Sequence, residues 1–228
     1  MFRGKKYRKV IEGVDPKVEY PLEDAIKFLK KSEIKFDQTV EIHMNLGVDP
    51  KHSDQVVRGT VVLPHGSGKK VRILVFCKDN NLQVAKDAGA EFVGGDDLAQ
   101  KIIGGWLDFD AVVATPDMMP VIGKVAKVLG PRGLMPSPKA GTVTPNVANV
   151  IKELKAGKIQ YRVDKGANVH APVGKLSFTV EALRDNVLSV LDSVKKQKPQ
   201  TSKGIYIKSF SLTATMAPSI KLEMALTR

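Results

Sequence analysis

This 228-residue chain has almost no cysteine: Cys77 stands alone, inside the apolar run VRILVFC. One thiol excludes an intrachain disulfide framework and a cysteine-built zinc cluster, and its apolar setting marks it as a core thiol rather than a nucleophile. Histidine is scarce too. His43, His52, His65 and His170 include no pair spaced i,i+4, the arrangement that places two metal ligands on one helix face. No G-x-G-x-x-G follows a strand-like segment, and no G-x-S-x-G elbow occurs. The stretch HGSGKK ends like a phosphate-binding P-loop. The glycine required five residues before Gly68 is Leu63, however, and strand-like residues follow where a helix should open. The pair in Asp108-Phe109-Asp110 reads as an ordinary turn before a buried strand. No run approaches the ~20 apolar residues that span a bilayer, and MFRGKKYRKVIEGV lacks the apolar centre of a secretion signal. Together these absences leave no catalytic residue, no metal and no cofactor to name. The expectation is a soluble, cytoplasmic chain with no membrane partner.

Positive charge, by contrast, is plentiful. Thirty-six Lys and Arg against 24 Asp and Glu give +12 and a pI near 9.7, on a composition of 43% hydrophobic and 26% charged residues that is typical of a folded protein. That balance is the footprint of a polyanion binder. It is unevenly spread: residues 1–66 carry +2, residues 160–228 carry +6, and residues 67–159 carry +4.

The patterning divides the chain in the same places. YPLEDAIKFLKKSE predicts a helix, with Leu22, Ala25, Ile26 and Leu29 as its apolar stripe and acids before cations along it. TVEIHMNLGV alternates, Val40, Ile42, Met44 and Leu46 against Thr39, Glu41, His43 and Asn45, which predicts a strand with one buried and one wet face. VVRGTVVLP reads as a second strand. From about residue 70 solid apolar runs (VRILVFC, AVVAT) alternate with helical segments (NLQVAKDAG, DDLAQKIIGG, DMMPVIGKVAKVLG), the pattern of a parallel sheet covered on both faces. TPNVANVIKELKAG predicts a helix capped by Thr144, with Pro145 at its first position and Gly157 as terminator. The first pattern then returns: extended KIQYRVD and NVHAPVGKLSF, a long helix in TVEALRDNVLSVLDSVKKQK, and alternating GIYIKSFSLTATM. The expected fold is a discontinuous α+β domain, residues 1–66 and 160–228, interrupted by a Rossmann-like three-layer α/β domain at 67–159. The crossings are expected near 65–69 and 155–158.

Two regions could carry function. GPRGLMPSPKAGTV, residues 130–143, packs three glycines and three prolines into a segment that cannot be a regular helix or strand. Its amides near Gly130 and Gly133, with Arg132 and Lys139, suit an anion, and its prolines equally suit a rigid crossover; from composition both readings stand. On the wet face of the split domain, Lys35, Phe36, Thr39 and Glu41 gather near the start of one strand. An exposed Phe beside Lys can stack on a base or ribose, while Thr and Glu can bond 2′-hydroxyls and base edges. Thr213, Thr215 and Met216 lie where the last long strand meets a Pro turn, and small hydroxyls with a flexible thioether suit close contact with RNA.

These same segments resemble a known family. GPRGLMPSPKAGTV, SDQVVRGTVVLPHGSGK, FDAVVATPDMM, DK followed by VHAPVGKLSF, and TATMAPS fall in the order of the L-one family of large-subunit ribosomal proteins, bacterial type, over essentially the whole chain. The resemblance implies a non-enzymatic ribosomal protein that binds the RNA of the mobile stalk beside the tRNA exit site and assists release of deacylated tRNA. It also implies repression of its own operon messenger RNA, and a monomer when free of the ribosome. By motif position it carries RNA contacts onto Lys35, Phe36, Thr39, Glu41, Lys165, His170, Lys175, Ser177, Thr213, Thr215, Met216 and Ser219. Two departures stand out: Ala217 occupies a position usually held by Gly, and the segment between Lys165 and His170 is one residue short. A positive φ at 217 would make that Ala costly. The resemblance reduces the 130–143 loop to a fixed crossover with some capacity for anions. The rival reading is a small α/β enzyme acting on an anionic metabolite, with the insert as its catalytic domain. A free-standing repressor is a third.

Overall fold

The computed structural model describes residues 4, 7–8, 11, 13–15, 18–31 and 35–224, apart from the side chains of residues 53, 79, 80 and 139. In chain order the first elements are α1 (Leu22–Lys30), β1 (Thr39–Leu46), β2 (Arg58–Val62), β3 (Ile73–Phe76), α2 (Asp79–Asp87), β4 (Phe92–Gly94), α3 (Asp96–Ile103) and β5 (Ala111–Ala114). After them come α4 (Met119–Leu129), α5 (Val147–Lys155), β6 (Lys158–Arg162), β7 (Asn168–Lys175), α6 (Val180–Lys196), β8 (Ile207–Ala214) and β9 (Ile220–Lys221). They form two compact units, residues 1–68 with 157–228, and residues 69–156.

In the first unit a four-stranded antiparallel sheet runs β7-β1-β8-β9, beside a two-stranded β2-β6 ribbon. β1 buries alternate residues, as its sequence predicts, and Val40, Ile42, Met44 and Leu46 are at most 1% exposed. They join Ala25, Ile26 and Leu29 of α1 and Leu183, Val187, Val190, Leu191 and Val194 of α6 in one core. Each Val, Leu, Ile or Met side chain among them contributes about 1.5–3 kcal/mol on burial. Helices therefore cover one face of the sheet, and among the described residues no helix packs on the Thr39, Glu41, His43, Asn45 face. α6 starts where Thr179 Oγ1 accepts from Ala182 N at 3.2 Å, a side-chain cap on an otherwise unpaired amide.

The second unit is a three-layer α/β sandwich around a parallel sheet ordered β4-β3-β5. Leu74 and Phe76 pack with Leu98 and Ile102 of α3 and Ile122, Val125 and Leu129 of α4. Ile73, Val75 and Cys77 pack with Ala85 of α2 and Val147, Ile151 and Leu154 of α5. A strand covered on both faces has no wet side, which is why VRILVFC reads as a solid apolar run. The fold class is thus the expected one, α+β with an α/β unit.

Three local details bear on these expectations. α5 starts at Val147 with Asn146 as its N-cap, two residues later than expected; the Thr144 hydroxyl instead accepts from Asn146 N at 3.2 Å, a turn ahead of the helix. Residues 67–68 and 157–159, expected with the insert, pack with the first unit: Lys158 and Ile159 open β6 against β2. A Cβ at Gly157, where φ is +101°, would lie 2.6 Å from Gly66 Cα, so the two passing backbones touch. Thirdly, positive φ falls on Met216 (65°), not Ala217, in a turn closed by Ala217 N donating to Ala214 O at 2.8 Å. Ala at 217 is unstrained.

The 130–143 loop is fastened to the insert sheet. Ala114 N donates to Thr142 O and Thr144 N to Ala114 O, at 2.9 and 3.0 Å, while Ser137 N donates to Thr142 Oγ1 at 2.8 Å. Pro136 is buried and Leu134 packs on the α3–α4 core. These bonds make it a fixed crossover. Arg132 is exposed, and the Lys139 side chain lies outside the described residues.

Candidate nucleic-acid interface

The wet face of the four-stranded sheet is ordered by register. Across β1, Thr39 lies opposite Lys175; Glu41 lies between Pro172 and Thr213; His43 lies between His170 and Ser211; Asn45 lies between Asn168 and Ser209. His170 and Lys175 differ in parity along β7, so simple alternation would place them on opposite faces. A bulge resolves this. The β1–β7 register shifts between Val40 and Glu41, Val173 and Gly174 are both buried, and Lys175 is returned to the wet face. Gly174, at φ +151°, has Phe178 and Leu183 within 3.0–3.1 Å of where a Cβ would stand, so the bulge closes around a residue without a side chain.

The expected site residues fall into two groups on this face. One surrounds the start of β1. Lys175 Nζ donates to Thr39 Oγ1 at 2.9 Å, and Thr215 donates to Thr39 O from its backbone N at 3.1 Å and its hydroxyl at 3.3 Å. Ser177 donates to Asp37 from N (3.1 Å) and Oγ (2.8 Å). Thr213 Oγ1 reaches the Ala217 carbonyl at 3.4 Å, bracing the turn that presents Met216. Lys35 and Ser219 are exposed, Phe36 is 46% exposed and Met216 is 71% exposed. Two large apolar side chains therefore stand in solvent among cations and hydroxyls. Glu41 sits further along, toward the second group.

That second group, Lys165 and His170, lies toward the other end of β7, about 17 Å away at ~3.3 Å per residue from Lys175 to His170. Asp164 organises it. Its Oδ1 accepts from Gly166 N (2.8 Å) and Asn168 N (2.7 Å), and its Oδ2 faces His170 Nε2 at 3.4 Å. The Asn168 amide, ahead of smaller contributions, holds the Asp164 carboxyl below the usual carboxylate range. Ala167 takes φ +62° in this tight turn. His43 Nδ1 lies 2.7 Å from His170 Nδ1. Burial first, and then the His170 neighbour, lower the His43 pKa, with Glu41 opposing them. The sequence-based search missed Asp37, Asp164 and His43 as site residues. Asp164 had a legible signal, an Asp followed by Gly two residues on, whereas His43 had only its wet-face parity.

Among the described residues, no group of three His, Cys, Asp or Glu is arranged to hold a metal, and no helix is long and apolar enough to cross a membrane. Fold and face define a two-unit protein whose exposed sheet surface offers charge, hydroxyls and isolated apolar side chains across a broad area, the build of a binding protein. The profile of the Ribosomal protein L1p/L10e family matches residues 26–218. The chain is 53% identical over 221 residues to the large ribosomal subunit protein uL1 of Chlorobium phaeobacteroides (strain DSM 266 / SMG 266 / 2430), covering 96% of each. It is 52% identical over 222 residues to the protein of the same name from Chlorobium chlorochromatii (strain CaD3), covering 97% of each. The chain belongs to the ribosomal protein L1p/L10e family. It is a structural large-subunit ribosomal protein of the bacterial type, a cytoplasmic ribosome component and not an enzyme, which sets aside the metabolite-enzyme reading.

Proposed function

We propose that the open face of the four-stranded sheet binds the large-subunit ribosomal RNA of the mobile stalk, near the tRNA exit site. One observation carries this: Lys175, Thr39 and Thr215 are bonded into a single patch at the start of β1, with Phe36 and Met216 exposed beside them. Lysines there neutralise phosphates, hydroxyls reach ribose 2′-oxygens, and the two apolar side chains pack on sugar or base faces. Lys165 and His170 extend the contact toward the far end of β7, so Lys35, Phe36, Thr39, Glu41, Lys165, His170, Lys175, Ser177, Thr213, Thr215, Met216 and Ser219 form one RNA-facing set. Bound there, the protein assists release of deacylated tRNA. The same face, free of the ribosome and on a monomer, represses translation by taking its own operon messenger RNA.

The test is a competition at several salt concentrations. Log affinity for a stalk RNA fragment should fall linearly with log salt, at about −0.7 to −0.9 per phosphate neutralised, and the fragment should outbind an unrelated hairpin of equal length at every salt. Equal affinity for both hairpins would reduce the face to a generic cationic surface. Sedimentation of the free chain and binding to its own leader transcript check the monomer and repressor assignments.

A further inference from the structure

His43 and His170 are direct cross-strand partners on the wet face, with ring centroids 4.9 Å apart at 63° and Nδ1 atoms 2.7 Å apart. Two imidazole nitrogens at that distance share one proton, one donating and the other accepting. The second nitrogen of His170 assigns the roles. Its Nε2 faces Asp164 Oδ2 at 3.4 Å, and an ionised carboxylate only accepts, so His170 carries its proton on Nε2. His170 Nδ1 is then the acceptor and His43 Nδ1 the donor. In neutral His43 this leaves Nε2 bare, and no hydrogen bond to another described residue occupies it.

A further proton has one place to go. On His170 Nδ1 it would break the bond between the rings; on His43 Nε2 it breaks nothing and creates a charged donor. The charged and titratable groups facing the pair are Glu41 on β1, Asp164 in the turn before β7, and Lys221 on β9 across Ser211. β8 presents only the neutral Ser209, Ser211 and Thr213 in these rows. Burial and then His170 disfavour the charged form of His43, whereas an arriving anion favours it.

We infer that His43 is a titratable phosphate contact, taking up a proton at Nε2 as RNA docks, with the Asp164–His170 pair holding the ring in the tautomer that makes Nε2 the point of uptake. This rests on the reading of the wet face as the RNA surface. Glu41 lies between the two groups of expected contacts, and His43, directly opposite His170, extends the track from it to the second.

The experiment is titration of the full chain with the stalk RNA fragment at pH 7.5 and 5.5, each at three salt concentrations. One proton taken up per complex allows at most tenfold per pH unit, and a gain of about three- to tenfold across this interval is expected. The salt slope should steepen by about 0.7–0.9 at the lower pH, one added phosphate contact. His43→Gln should melt at the wild-type temperature and bind without either pH effect; His52→Gln should keep both. In parallel, the His43 ring resonances should titrate at higher pH in the complex than in the free protein. Equal pH response in wild type and His43→Gln, or identical ring titrations free and bound, overturns the inference while leaving selective RNA binding intact. Failure to prefer the stalk fragment at either pH overturns the RNA-binding reading itself.

Discussion

Met216 combines a left-handed backbone, φ +65°, with a side chain 71% exposed. A residue with a Cβ in that conformation is disfavoured by roughly 1–2 kcal/mol, and an exposed thioether returns little of it to the fold. Glycine relieves this strain but adds entropy to the unfolded chain, so the two effects nearly cancel. Met216→Gly should therefore leave urea-unfolding stability within about 1 kcal/mol of wild type while weakening binding to the stalk RNA fragment. A large stability loss with unchanged binding would place the side chain in the fold rather than at the interface. Asp110 is the opposite kind of residue, a structural one in the second unit. Burial alone would raise its carboxyl; Lys69 Nζ at 2.7 Å and the Arg72 backbone and Nε at 3.2 and 3.1 Å outweigh that and hold it at about 2. A depressed carboxyl stabilises the native state above its unfolded value of 3.8, and that contribution is lost as pH falls from there toward 2. Asp110→Asn should cost about 1–2 kcal/mol at pH 7, the exposed lysine and arginine reducing the full linkage value. The gap to wild type should close as denaturation is repeated between pH 4 and pH 2.

At the scale of elements, α6 is tied to the rest of its unit by a buried amide. Asn186, fully buried, donates from Nδ2 to Val173 O (2.7 Å) and Gly66 O (3.0 Å) and accepts from His65 N at 3.1 Å. It therefore holds both the bulged end of β7 and the chain leaving β2. Asn186→Leu keeps the volume but strands two carbonyls and an amide. A loss of about 2–4 kcal/mol is expected by urea unfolding, since each buried group left unpaired costs about 1–3 kcal/mol and some will find water. RNA affinity should fall with it, because the same β7 end presents Lys175. Stability within experimental error of wild type would show that water replaces all three bonds. The bulge at Val173 and Gly174 is the second device at this scale. Without it, Lys175 would point into the helices rather than toward Thr39.

For the molecule as a whole, the decisive feature is that the chain leaves and re-enters the first unit at adjacent points, Gly66 and Gly157 being in backbone contact. The insert can then be removed without separating the two halves. A chain joining residues 1–68 to 157–228 through two glycines should fold cooperatively with its own thermal transition and retain most of the affinity for stalk RNA. The proposed contacts all lie in that unit, which also holds the larger positive charge. Residues 69–156 alone should bind stalk RNA no better than an unrelated hairpin. The reverse result would move the interface to the insert.

Much of this architecture follows from local periodicity. The apolar stripe of α1, the alternation of β1 and the doubly buried β3 each depend on which side of one element faces the core, and neighbours along the chain record that directly. The wet-face parity of Thr39 and Glu41 was legible for the same reason. Three matters depended on partners distant in sequence. Strand order placed β1 between β7 and β8, setting His43 against His170; a bulge visible only against its partner strand turned Lys175 outward. Asp110, ordinary in its own segment, gained its perturbation from Lys69 and Arg72. Sequence alone determined the elements, their buried faces and the family. Tertiary structure decided which side chains share a surface, because register, bulges and charge pairing are properties of two strands at once and a single stretch of residues carries only half of each.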